Sequence, residues 1–211
     1  MHSAGSARIE TLAAAPAMSA QAPGTAAASG PLAAVLAPLA DYLASAREAV
    51  RARVVGPNGR ADSRRLDAEQ RALHALAWTA TYAQALGELD RWLAGLAARA
   101  KLGQAESLIG AIGTGEYLAQ IVSGIPMSQS EIARPADMGV EAAAARLAAH
   151  PDVAQAIATG NTLANRQALH RLVQDGASID ESLGDDDLDM VREHMRRFAR
   201  ERVRPHAHLS L

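Results

Sequence analysis

From Leu32 onward, apolar side chains return at steps of three and four. Leu32, Val35, Leu36, Leu39, Leu43, Ala46 and Val50 follow one another at that spacing, which lines them along one face of a helix turning every 3.6 residues. The same period runs through Leu66, Leu73, Leu76, Ala80, Ala83 and Leu86, continues through Leu89, Trp92, Leu93 and Leu96, and returns in Leu108, Ile112, Leu118 and Ile121. Composition points the same way. Alanine fills 50 of 211 positions and aromatic residues 3%, so helix formers abound while the side chains that sheets draw on are scarce. The expected fold is all-α: an irregular bundle of about six to seven helices behind a disordered N-terminal arm.

Residues 1–30 form that arm, since its Ala, Ser, Pro and Gly cannot bury enough apolar area to offset the entropy of ordering. Residues 11–40 carry no charge, yet Pro16, Pro23, Pro31 and Pro38, with Gly24 and Gly30, rule out an apolar bilayer-spanning helix. Arg8 is followed at once by Glu10, unlike the basic start of a signal peptide. A soluble, cytoplasmic chain is expected, with no membrane association.

Pro31 suits a first helical position, and Gly56-Pro57-Asn58-Gly59 stops the first helix. Asp62 or Ser63 caps a second that reaches about Gly103, with Gly87 bending or dividing it. A third runs from Gln104 to Val122, and its Gly110, Gly113 and Gly115 imply close backbone contact with another helix. Residues 123–139 read as an ordered connection. Helices at about 140–149, 151–159 and 161–174 follow, the last capped by Asn161. After a connection from Gly176 to Gly184, a final helix extends from Asp185 to Arg204 and is stopped by Pro205. Residues 31–176 thus form one helical domain and 185–208 a separate element.

Little of this can carry out bond chemistry. The absence of cysteine removes thiolate nucleophiles and Cys-ligated metals, and a formal net charge of -2 gives no global pull toward nucleic acid. Asp185, Asp186, Asp187 and Asp189 lack the spacing of a calcium loop and read as helix capping, with arginines balancing them at the other end. His206 and His208 lack a third ligand nearby. His74, His150, His170 and His194 are scattered and read as surface or satisfied core residues. Gly110-x-x-Gly113-x-Gly115 has neither the strand nor the helix N-terminus that a phosphate loop needs, and reads as packing. No catalytic, cofactor-binding or metal-ligating residue is assigned.

Residues 185–208, DDDLDMVREHMRRFARERVRPHAH, are similar to the opening helix of the flavin-dependent acyl-CoA dehydrogenases. Phe198, Ala199, Glu201, Val203 and Pro205 match its F-A-x-E-x-V/I-x-P ending, and Leu188, Val191, Met195 and Phe198 form its buried stripe. The stretches AEQRALHALAWTATYAQAL (68–86), GTGEYLAQIVSGIPMSQSEIARPADMG (113–139) and NTLANRQALHRLVQD (161–175) resemble the N-terminal extension of the methylsuccinyl-CoA dehydrogenase branch.

The resemblance implies a cytoplasmic FAD enzyme of the ethylmalonyl-CoA pathway that converts 2-methylsuccinyl-CoA to mesaconyl-CoA, with an electron-transfer flavoprotein reoxidising the flavin. The family's FAD site, CoA site and catalytic Glu fall beyond the matched residues. An N-terminal fragment, inactive alone and binding no cofactor itself, is therefore expected; a stand-alone helical interaction module is the alternative. Tyr117, Gln129, Glu131, Arg134 and Asp137, with the stripe Leu188, Val191, Met195 and Phe198, are the candidate contacts to the dehydrogenase core or to a partner subunit, and a homo-oligomer is possible.

Overall fold

A computed structural model describes residues 30–182 and 185–207. The arm assigned to residues 1–30 lies, apart from Gly30, outside the described residues, as does His208. The fold is the expected all-α bundle. Helix α1, Ala33–Val54, buries Val35, Leu39, Tyr42, Ala46, Val50 and Val54 along one face. Its start is held from a distance: the buried Asp90 carboxylate accepts the Leu32 N–H at 2.7 Å, placing negative charge at the positive end of the helix.

The second helix divides, but not at Gly87. Asp62 caps α2, Ser63–Ala68, by accepting the Arg65 N–H at 3.1 Å. Glu69 then leaves helical geometry (φ -106°, ψ 20°), and α3 runs unbroken through Gly87 from Gln70 to Ala98. Gly87 faces open space, with nothing within 4 Å of where a Cβ would stand. Its weak helix propensity, about 1 kcal/mol, is offset by packed turns on either side. Ala100, in the left-handed region at φ 55°, ends α3.

Helix α4, Gln104–Ser123, makes the close backbone approach its glycines imply at Gly115, whereas Gly110 and Gly113 meet leucine side chains of α3. The Leu93 side chain fills the space beside Gly110, and Gly115 meets the backbone of Gly160 and Asn161. The connection after α4 holds two short strands, β1 (Ile125–Pro126) and β2 (Ile132–Ala133), paired antiparallel, and then helix α5, Pro135–Met138. Ile125 and Ala133 are buried, so this hairpin is part of the core. Helices α6 (Glu141–Ala149), α7 (Pro151–Thr159) and α8 (Leu163–Gln174) complete the body. The cap of α8 is Thr162, whose hydroxyl accepts the Asn165 N–H at 3.2 Å. Asn161, expected in that role, turns its side chain toward Glu116 and Arg166 instead.

The described residues hold nine α-helices rather than six to seven, because the second divides and α5 is added. The last, α9 (Asp186–Phe198), is capped by Asp185, which accepts the N–H groups of Asp187 and Leu188. Pro205 has no N–H to bond back to Glu201. The chain widens through a π-helical turn at Ala199–Val203 and closes in a 3-10 turn at Arg204–His206, so the helical path ends past Pro205. No residue of α9 is buried. Among the described residues, no helix is long and apolar enough to cross a membrane.

Candidate functional site

Three surfaces take up the residues singled out by sequence. The first is built around Asp137 on α5. Its carboxylate accepts the Arg134 N–H at 2.7 Å and the Arg71 Nε–H at 2.7 Å, and Arg53 donates to its carbonyl at 3.0 Å. Burial works to raise the Asp137 carboxyl, but the Arg71 guanidinium and the Arg134 N–H outweigh it and hold its pKa below the usual value. Arg71 also donates to the Ile132 carbonyl at 3.3 Å, so one side chain of α3 fastens both β2 and α5. Glu131 lines a shallow depression with Gln70, His74 and Met127, and its carbonyl accepts the Met127 N–H at 2.9 Å. Gln129 stands exposed at the hairpin tip. Asp137, gripped by Arg71 of α3 and Arg53 of α1, therefore holds the irregular segment onto the helices, while Arg134 contributes a local N–H bond.

Tyr117 belongs to a second surface. Its ring stacks on Tyr82 of α3 with centroids 4.4 Å apart. Tyr82 meets Trp78 edge-on at 6.3 Å, and Trp78 donates its Nε1–H to His74 Nε2 at 3.0 Å. The spacing 74, 78, 82 puts these rings on one face of α3, a regularity that reading His74 alone does not reveal. Tyr82 donates its hydroxyl to Gln120 at 2.9 Å, and Gln120 donates to Glu116 at 2.6 Å. Asn161 donates to the other Glu116 oxygen and accepts from Arg166 Nε at 2.5 Å. Hydrogen bonds from Gln120 and Asn161 hold the Glu116 carboxyl below its ordinary pKa. Glu116, Asn161, Arg166 and His170 line a groove of about 590 Å³ between α4 and α8 with Tyr117 and apolar neighbours. Sequence spacing offers no warning of this grouping, since Glu116 and Asn161 are 45 residues apart.

The third surface is α9. Leu188, Val191, Met195 and Phe198 are 52%, 54%, 61% and 54% exposed, and their spacing sets them on one face. The residues leading into α9 are anchored: Trp92 donates to the Asp180 carbonyl at 3.1 Å, and Lys101 pairs with the Asp180 carboxylate at 2.9 Å. Ser182 donates to Asp189 at 2.6 Å, and Arg196 pairs with Glu181. Helix α9 is thus held at its base while its apolar face meets solvent. His74 belongs both to the depression beside Glu131 and to the ring row of Tyr117, so the first two surfaces adjoin, while α9 packs chiefly against the turns that follow it.

The glycines at 110, 113 and 115 face Leu93, Leu89 and the backbone near Gly160, leaving no cradle for phosphates. Among the described residues, no group of three or more His, Asp or Glu could hold a metal ion.

No protein-family model matches the chain. A search of curated proteins finds similarity to (2S)-methylsuccinyl-CoA dehydrogenase of Cereibacter sphaeroides, 44% identical over 169 residues. The matched stretch covers 78% of this chain and 30% of that protein, so the chain spans about a third of the relative's length. Over most of its residues, this helical chain is similar to part of a (2S)-methylsuccinyl-CoA dehydrogenase.

Proposed function

We propose that this chain is the helical N-terminal part of an FAD-dependent acyl-CoA dehydrogenase that oxidises 2-methylsuccinyl-CoA to mesaconyl-CoA, and that it scaffolds rather than catalyses. The observation that carries this reading is the 44% identity over 169 residues. The exposed apolar stripe of α9 supports it. An apolar face of this length is ordinarily covered by a partner, because exposure to water costs about 25 cal/mol per Å². The division into an extension at residues 31–176 and an opening core helix at 185–208 belongs to the same proposal.

In this reading FAD is bound outside these residues and supplies the two-electron acceptor. The acyl-CoA site and the catalytic carboxylate lie outside them too. An electron-transfer flavoprotein, a cytoplasmic setting, the ethylmalonyl-CoA pathway and a homo-oligomeric assembly are part of the proposal. The residues described here contribute a packed helical body, a hairpin fastened by Arg71 and Asp137, and a helix offering four apolar side chains to the rest of the enzyme.

A chimera tests this directly. The matching segment of the Cereibacter sphaeroides enzyme is replaced by residues 30–207 of this chain, and FAD content and oxidation of 2-methylsuccinyl-CoA are measured. The proposal expects a flavin-loaded chimera that retains the parent's activity. A chimera that folds but has lost flavin or turnover would contradict it.

A further inference from the structure

The groove between α4 and α8 has a use that the dehydrogenase reading does not require. Its lining is apolar, with half-buried Ile112 and Leu169 beneath and Val173 at the exposed edge, and one wall is the half-buried ring of Tyr117, stiffened by its stack on Tyr82. This is an open groove of about 590 Å³ on the surface. Over this lining stand Arg166 and His170, four residues apart and so on one face of α8.

Arg166 is held in place. Its Nε–H is bound to Asn161, Asn161 is bound to Glu116, and Glu116 is bound to Gln120. That chain of bonds occupies both Glu116 carboxylate oxygens and one edge of the guanidinium, leaving the two terminal guanidinium nitrogens without a partner among the described residues. A guanidinium fixed in this way loses little freedom on meeting an oxyanion, and its planar fork matches carboxylate and phosphate.

We propose that this groove binds a small amphipathic anion, a carboxylate or phosphate monoester with an apolar or planar body. Its head is taken by Arg166 and His170, and its body lies over Ile112, Leu169, Val173 and Tyr117. Neither the apolar lining nor the free edge of the Arg166 guanidinium alone selects such a molecule; together they favour it over neutral lipids and small inorganic anions.

The test is a titration of the isotope-labelled 211-residue chain followed by NMR. The probes are decanoate, phenyl phosphate and decanol, with Arg166→Gln and His170→Gln as variants. Arg166 and His170 are exposed, so neither substitution empties a buried position, and unchanged amide spectra away from the groove check that the fold is kept. The expected result is saturable shifts of the Ile112, Leu169 and Val173 methyl groups with decanoate or phenyl phosphate. The stronger of the two identifies the head group as carboxylate or phosphate. Decanol binds at least tenfold more weakly, and Arg166→Gln weakens the anion by about tenfold while leaving decanol unchanged. Three results would overturn the proposal: decanol binding as tightly as the anions, shifts concentrated on Met195 and Phe198 of α9, or no saturable response to either anion.

Discussion

Replacing Gly160 by alanine tests the helix crossing on which the body of the fold depends. An ideal Cβ at Gly160 would stand 2.3 Å from the Ala111 carbonyl oxygen, 2.6 Å from the Ala156 carbonyl oxygen and 3.0 Å from Gly115 Cα. All three neighbours are backbone, so no side chain can swing aside. Relief of the Ala111 and Gly115 contacts requires α4 and α7 to separate by about 1 Å, and relief of the Ala156 contact requires the last turn of α7 to shift; overpacking of this kind costs about 1–3 kcal/mol. The backbone conformation itself is no obstacle, since Gly160 sits at φ -71° and ψ -68°. On that count alone, alanine would stabilise by about 0.4–1 kcal/mol through the unfolded chain. The steric cost wins, for a net loss of about 1–2 kcal/mol, or about 2–8 °C in Tm for a chain of this size. The control is Gly87→Ala in the open middle of α3, where nothing lies within 4 Å and the same chemical change should stabilise by about 0.5–1 kcal/mol. Thermal and urea unfolding followed by circular dichroism should show opposite signs. If both variants stabilise alike, α4 and α7 do not cross through Gly115 and Gly160.

Further expectations follow from single residues. The Tyr42 hydroxyl is buried with no protein partner among the described residues, and burial pushes its pKa up to about 12. A raised pKa means stability that is complete below pH 10 and lost between about pH 10 and 12, so Tyr42→Phe should flatten alkaline unfolding and match or exceed the parent at pH 7. Ala100 holds a left-handed conformation at φ 55°, and Ala100→Gly should stabilise by about 1 kcal/mol, read as a higher urea midpoint with unchanged slope. Asp137 has a lowered pKa, so its contribution is present above its unfolded value of 3.8 and lost as pH falls through the folded value. Asp137→Asn should therefore lower stability at pH 7 and make acid unfolding less steep, measured by urea midpoints from pH 7 to 3.

Where a helix buries one continuous stripe, its residues declare it. The buried face of α1 repeats the spacing of Val35, Leu39, Ala46 and Val50, and of the three α4 glycines Gly115 lies where backbones meet while Gly110 and Gly113 make room for Leu93 and Leu89. The break at Glu69 is hidden because helix propensity points to Gly87, whereas Asp62 marks only the start of α2 and the chain leaves helical geometry at Glu69, a residue type that gives no stop signal. The hairpin is hidden for another reason. Two-residue strands have no period to read, and Ile125 pairs with Ala133 because both are buried against surrounding helices. Asn161 and Thr162 are both good caps by type, and Asn161 is drawn away by Glu116 across the α4–α8 contact. The groove follows from that same long-range pairing. The stripe of α9 is plain in sequence, because amphipathicity survives whether or not a partner covers it.

The central claim is that the α9 face of Leu188, Val191, Met195 and Phe198 is a surface that the rest of a longer enzyme covers. Amide hydrogen exchange over residues 186–198 tests it most directly, measured in the 211-residue chain and again in the chimera carrying the remainder of the Cereibacter sphaeroides protein. Rapid exchange is predicted in the isolated chain, where α9 buries no side chain and is held by polar contacts to residues 181–182, and strong protection in the chimera. Equal exchange in the two proteins would contradict it.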